Sequence, residues 1–375
     1  MLKNWSTTPS RLKSTMSLIQ ALPHGPLDIV GDIHGEYEAL LALLGHLGYG
    51  GQGAHADHRT LVFVGDFCDR GPDSPAVLAL VQQLVNAGRA VAVLGNHEIN
   101  LLREDVKDGS GWFFDARASK DHAKYAPYRR PSARERAEII AFLTSLPIAL
   151  ERNDLRVVHA AWQDYEIGLA RTLTLGSVRE RYDAWEVEST RLATANQQQQ
   201  RMAAELENWE HGLENPHHQP PFLHALADFE VGKQMLNPLK VLTSGVEHKG
   251  RTPFFAGGKW RFVSRVPWWD SYGDETPVVI GHYWRRVHKV GTAAMGQDDQ
   301  DLFRDTDPFA WHGKRGNVFC VDFSVGGRWT ERKAGLPLGQ DFKLAALRWP
   351  ERSLLFDDGH TKATHRERSL TQRVR

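Results

Sequence analysis

Three short segments carry the residues that could do chemistry: Gly31-Asp32-Ile33-His34-Gly35, Gly65-Asp66-Phe67-Cys68-Asp69-Arg70-Gly71 and Gly95-Asn96-His97-Glu98. Asp32 and His34 are two apart, so at the end of a strand they can point to the same side. Carboxylate with imidazole suits Mn, Fe or Zn. Asp66 has two oxygens with which to bridge a pair of cations, and Asn96 offers a neutral oxygen. His159 follows Val157-Val158, and His282 follows Val279-Ile280-Gly281, so both end later apolar runs in the same way. Two cations about 3.5–4 Å apart would polarise a phosphate and bring a bridging water toward a pKa of about 7 for in-line attack. Arg70 could hold phosphate oxygens in bidentate fashion. His97, beside Asp69, could protonate the leaving alkoxide while the carboxylate orients the ring.

The elements that must position these loops follow from apolar patterning. Residues 27–30, 60–64 and 90–94 read as strands, and 36–47 and 74–85 as amphipathic helices with apolar residues at helical spacing. Such alternation implies parallel strands with their loops along one sheet edge, where α/β proteins bind ligands. Strands resume at 277–280, 317–323 and 342–349. The expected organisation is a core of residues 1–160 and 276–350, a largely helical insert at 161–275 and a polar, basic C-terminal tail at 351–375.

Composition sets bounds. The chain has 375 residues, 41% hydrophobic and 25% charged, which is globular rather than disordered. Lys and Arg number 46, as do Asp and Glu, so no global basic field holds the chain on nucleic acid or an anionic membrane. No apolar run reaches the roughly 18 residues of a spanning helix. Cys68 and Cys320 lie far apart without a CxxC partner, which fits a reducing compartment, and the cytoplasm is expected.

The loops resemble the calcineurin-like metallophosphoesterases, and Gly-Asp-x-x-Asp-Arg-Gly followed by Gly-Asn-His-Glu resembles the phosphoprotein phosphatase branch and its diadenosine tetraphosphatase relatives. The resemblance implies an α/β fold (an α+β sandwich) of two mixed β-sheets flanked by helices. It implies that Asp32 and His34 bind a first divalent metal, that Asp66 bridges, and that Asn96, His159 and His282 bind a second. His97, Asp69 and Arg70 become acid, orienter and phosphate clamp. Three departures stand out: Leu94 replaces the arginine usual before Gly-Asn-His-Glu in protein phosphatases, Ala160-Ala161 replaces a glycine pair, and Trp284 replaces the second histidine of a Gly-His-x-His ending. The last argues for monoester or anhydride cleavage over phosphodiesters.

Arg285 and Arg286 follow His282 closely and could contact phosphate, or could be a solvated face. Trp284, Trp268 and Trp269 could stack on a base, although core packing is the simpler reading for the last two. The expectation is a two-metal phosphoesterase using a metal-bridging hydroxide on a phosphoprotein or small phosphomonoester. The alternative is a dinucleoside tetraphosphate hydrolase, and a more remote one a non-catalytic scaffold. A nuclease is disfavoured by the neutral charge.

Overall fold

Leu27–Val30 forms a strand buried on both faces, as a short apolar run between turn residues should. In the computed structural model, which describes residues 16–256, 258–288, 302–303 and 306–366, this strand lies within a six-stranded sheet. The order is Thr361–Ala363, Ser353–Phe356, Ala345–Trp349, Leu27–Val30, Thr60–Phe63, Ala90–Ala92. The last three strands run parallel, while Ala345–Trp349 pairs antiparallel with Leu27–Val30. Helices Tyr37–Leu47 and Ser74–Asn86 make the two crossovers. The second of these helices starts where Asp73 caps the Ala76 amide and Pro75 sits in the first turn, and it buries Val77, Leu78, Val81 and Leu84.

A second mixed sheet has the order Ile19–Ala21, Ala149–Arg152, Leu155–Val158, Val278–Ile280, Val318–Cys320. Leu27, Ile29 and Val62 of the first sheet share one buried cluster with Leu150, Val157, Val279 and Phe319 of the second. Alternate residues such as Val30 and Phe63 face the other way, into a cluster with the helices. The fold is the expected sandwich of two mixed sheets flanked by helices. Each fully buried Val, Leu or Phe contributes about 1.5–3 kcal/mol, so the strand ends that carry the ligand-type residues are held by a well-filled core.

Two expected boundaries differ from the structure. Residues 351–375 were expected as a tail, but Ser353–Phe356 and Thr361–Ala363 are strands of the first sheet, and His365–Arg366 pairs with Ala310–Trp311. Leu354, Leu355 and Phe356 bury themselves, and that short apolar run was hidden by its charged flanks. Residues 367–375 lie outside the described residues. The stretch 161–275 contains helices Asp164–Arg171, Val178–Ala195, Gln198–Glu207, His224–Met235 and Pro238–Ser244. It also holds a hairpin, Glu247–Ala256 with Lys259–Arg265. Its first part is not separate from the core, because Trp162, Ile167, Ala170, Val178 and Tyr182 join the main buried cluster.

Candidate functional site

The five loops expected to carry chemistry meet at one place. Asp66 lies at the centre: its Oδ2 is 3.3 Å from His159 Nε2 and 3.8 Å from both His34 Nε2 and His97 Nε2. Asn96 Oδ1 is 3.3 Å from His159 Nε2 and 3.0 Å from His282 Nδ1. Asp32 joins through its carboxylate, which accepts from the His282 amide at 3.1 and 3.3 Å. Asp32, His34, Asp66, His159 and His282 are all buried. Thus Asp32, Asp66 and Asn96 arrive from the first sheet, and His159 and His282 from the second.

Backbone geometry and supporting hydrogen bonds aim these groups. Of eleven described non-glycine residues with positive φ, six are His34, Asp66, Asp69, Arg70, His282 and Trp284. Such conformations cost about 1–3 kcal/mol each and cluster where a site over-determines them. His34 Nδ1 lies 2.9 Å from the Cys68 carbonyl and His159 Nδ1 2.8 Å from that of Val64, so both rings present Nε2 to Asp66. Glu98 accepts from the amides of Asp66, Phe67 and Gly95 at 2.8–3.0 Å and ties the second loop to the third.

His97 and Asp69, expected as acid and orienter, are in contact. His97 Nδ1 is 2.5 Å from Asp69 Oδ2, leaving Nε2 toward the centre. Arg70 donates to His34 Nε2 at 2.9 Å and to His97 Nε2 at 3.2 Å, and its guanidinium lies 5.0 Å from the Trp284 ring. Burial alone would lower His97, but the Asp66 and Asp69 carboxylates outweigh it and hold the imidazole above its ordinary value. Burial raises Asp32, and the carboxylates of Asp322 and Asp66 add to it. Asp66 goes the other way: burial is overcome by His159 and His97, which hold it well below the usual carboxylate range. Burial, with Arg70 and His97, keeps His34 low; burial, with Arg265 and His159, does the same for His282.

These residues fit divalent cations. Among the described residues, two triads have ligand atoms within 4.8 Å of one another, His34–Asp66–His97 and Asp66–His159–His282, and they share Asp66. His282 Nε2 is buried without a hydrogen-bond partner. Asp32, Asp66, Glu98 and Asp322 are four buried carboxylates packed closely enough to act on one another's titration. Uncompensated, that is costly; cations offset it.

Sequence reasoning missed three residues. Trp112 donates its indole N–H to Asp69 Oδ1 at 2.5 Å, so the carboxylate beside His97 is itself fixed. Asp322 accepts from the Trp284 and Ser324 amides at 2.9 and 2.7 Å and anchors the loop after His282. Arg265, at the end of the hairpin, acts electrostatically on His282 and lies 5.8 Å from the Tyr283 ring. No spacing rule singled it out. Arg285 corrects an expectation. It is buried, and its Nη2 donates to the Asp307 and Ala310 carbonyls at 2.7 Å, so it braces the core instead of facing a phosphate. Arg286 lies over Phe342 at 4.3 Å. Trp268 and Trp269 are core residues, and the Trp268 indole donates to the Ala160 carbonyl.

Residues 25–211 match the calcineurin-like phosphoesterase family. That stretch is a calcineurin-like phosphoesterase domain. Members bind divalent metals, in keeping with the triads around Asp66. The asymmetrical bis(5'-nucleosyl)-tetraphosphatase PrpE of Halalkalibacterium halodurans is 34% identical over 153 residues, 38% of this chain and 59% of that relative. Its counterpart from Oceanobacillus iheyensis is 49% identical over 80 residues, 20% of this chain and 32% of that relative. The match therefore spans 59% or less of either relative's length. Among solved structures, the cold-active protein-tyrosine phosphatase of a psychrophile, Shewanella sp., is 19% identical, covers 95% of this chain and 85% of its own, and has a TM-score of 0.44.

Proposed function

We propose that this phosphoesterase hydrolyses phosphomonoesters, of a phosphoprotein or a small molecule, with two divalent metals, Mn, Fe or Zn. The observation that carries this reading is the convergence of Asp32, His34, Asp66, Asn96, His159 and His282 beside the His97–Asp69 pair. In this reading Asp32, His34 and Asp66 hold one cation, and Asp66, Asn96, His159 and His282 the other. When bound, the pair supplies charge neutralisation on the phosphate and an activated water for in-line attack. Arg70, swung from the His34 and His97 rings, grips the remaining phosphate oxygens in bidentate fashion. Arg265 is placed to add a second positive charge from the His282 side. His97, its Nδ1–H held by Asp69, gives the Nε2 proton to the departing oxygen.

A second reading, hydrolysis of dinucleoside tetraphosphates, is favoured by the names of the relatives; there the His97 proton goes to a phosphate oxygen. Two free, buried cysteines support a cytoplasmic location, and among the described residues no helix is long and apolar enough to cross a membrane.

The test is a Mn-supplemented panel of p-nitrophenyl phosphate, a phosphoserine/phosphothreonine peptide, a phosphotyrosine peptide and diadenosine tetraphosphate, with Asp66→Asn as blank. Monoester kcat/KM exceeding that of the tetraphosphate by about tenfold or more supports the first reading. The reverse ratio installs the second, and rates equal to the blank on all four remove both.

A further inference from the structure

Beside His97 the surface opens into a cleft of about 470 Å³, lined at one end by Arg70, Asn96 and His97 and at the other by Tyr182, Lys240 and Ser244. The far wall is built into the site. Asn237 Oδ1 caps helix Pro238–Ser244, and the amides of Ala160 and Ala161, next to His159, donate to the Leu242 carbonyl at 3.0 and 3.3 Å. Gly245 ends the helix at φ +90°, and a Cβ there would lie 2.4 Å from the Tyr283 hydroxyl, next to His282. Helix Pro238–Ser244 is thus wedged between two ligand-bearing loops.

In-line displacement sends the leaving oxygen away from the nucleophile, to the side where His97 protonates it, so the leaving group departs into this cleft. The lining describes that group. Ile99 is its one aliphatic side chain, and the Tyr182 ring is covered by the Arg103 guanidinium at 4.3 Å. A bulky apolar group finds little to pack against. Most cations here are matched: Arg103 lies 2.6 Å from Asp183 and 3.2 Å from Asp105, and Lys107 lies 2.9 Å from Asp105. Arg70 bonds two imidazoles rather than a carboxylate and is kept for the transferred phosphate; Lys240 is the second exception. Its carboxylate neighbour, Glu186, is already taken by Lys233 at 2.9 Å and by the Asn237 amide at 3.2 Å, leaving Lys240 a second ammonium 3.5 Å away. Burial, helped by Lys233 and opposed by Glu186 and Glu247, lowers its pKa. A surplus positive charge in a narrow, low-dielectric cleft attracts an anion.

We propose that Lys240 makes this cleft a leaving-group subsite for a second anion: the preferred substrates are small phosphate esters whose leaving group carries a carboxylate or a further phosphate. The inference rests on the phosphoesterase reading above and names its substrate class.

The test compares kcat/KM of the full chain with Mn on 3-hydroxypropyl phosphate, 3-phosphooxypropanoate and propane-1,3-diyl bisphosphate. The anionic pair should exceed the neutral ester by about tenfold or more, and whichever wins names the anion. In Lys240→Met the ratio should fall toward one, and in Lys240→Arg most of it should return. Equal values in the wild type, or an unchanged ratio in Lys240→Met, would overturn the subsite. If the wild type hydrolyses none of the three, the small-ester form of the phosphoesterase reading fails, and calorimetric titration with propane-1,3-diyl bisphosphate decides the subsite alone. Binding lost in Lys240→Met and regained in Lys240→Arg sustains it; binding absent, or indifferent to Lys240, ends it.

Discussion

His97 shows how much one side chain's role depends on what fixes it. An imidazole turning freely at the mouth of a cleft is a poor acid, because the proton must point at the departing oxygen when the bond breaks. Here the ring is held by Asp69 at 2.5 Å, and Asp69 by the Trp112 indole at the same distance and by Ser74, whose hydroxyl accepts from its amide at 3.0 Å. An aspartate spent on orientation in this way is not free to bind metal. His97→Ala should therefore slow an alkyl phosphate about a hundredfold or more, while p-nitrophenyl phosphate, whose leaving group needs little protonation, loses less than about tenfold. Steady-state rates on the two esters check this, and equal losses would take His97 out of the acid role. Arg285 marks where residue-level reading runs out. Next to His282 and Trp284 it looks in sequence like a phosphate contact, yet backbone direction turns it into the core. Sequence adjacency does not specify which way a loop residue faces when its neighbours adopt left-handed φ.

At the scale of elements, the loops were legible because each ended a short apolar run with glycines and ligand-type residues, and glycine has a physical role at such ends. Gly281 is the clearest case. A Cβ there would come within 2.1 Å of Asp32 Oδ1 and 2.8 Å of the Val64 side chain. Gly281→Ala should thus push the Asp32 and His282 loops apart and weaken Mn binding by about tenfold or more, which titration calorimetry measures; unchanged affinity would show that the loops can give way. Less legible were the pairings that close each sheet. Ile19–Ala21 joins Ala149–Arg152, and Ala345–Trp349 joins Leu27–Val30, through contacts distant in sequence that no local pattern encodes. The helix Ala133–Thr144 starts with a capping box in which Ser132 and Glu135 bond each other's amides. The Ser132 amide, then Arg129, hold Glu135 at about 2, below its ordinary 4.5. With the folded value depressed, its stabilisation is complete above the ordinary value and is lost as pH falls toward the folded one. The melting-temperature advantage of wild type over Glu135→Gln should accordingly shrink between about pH 5 and 3; a constant gap would mean the charge adds nothing.

At the scale of the whole molecule, the proposed metal centre is also a joint. Asp32, Asp66 and Asn96 follow strands Leu27–Val30, Thr60–Phe63 and Ala90–Ala92 of one sheet; His159 and His282 follow Leu155–Val158 and Val278–Ile280 of the other. The apolar cluster between the sheets holds them face to face over their length, but at this edge the buried groups include several carboxylates that repel one another unless their charge is balanced. Cations shared through Asp66 would pin the sheets together there, and they would bind the folded chain far better than the unfolded one, whose ligands are scattered from position 32 to position 282. Linkage then fixes the size of the effect: free metal at about 100 times its dissociation constant adds about 2.7 kcal/mol. Removing metal with a chelator should therefore lower the melting temperature of the wild type, and returning Mn should restore it in step with activity. Asp66→Asn, which takes the shared charge out of both triads, should show a much smaller Mn-dependent rise while keeping its circular dichroism. A melting temperature indifferent to metal in the wild type would leave the sandwich held by its apolar core alone and would remove the cations from the joint between the sheets.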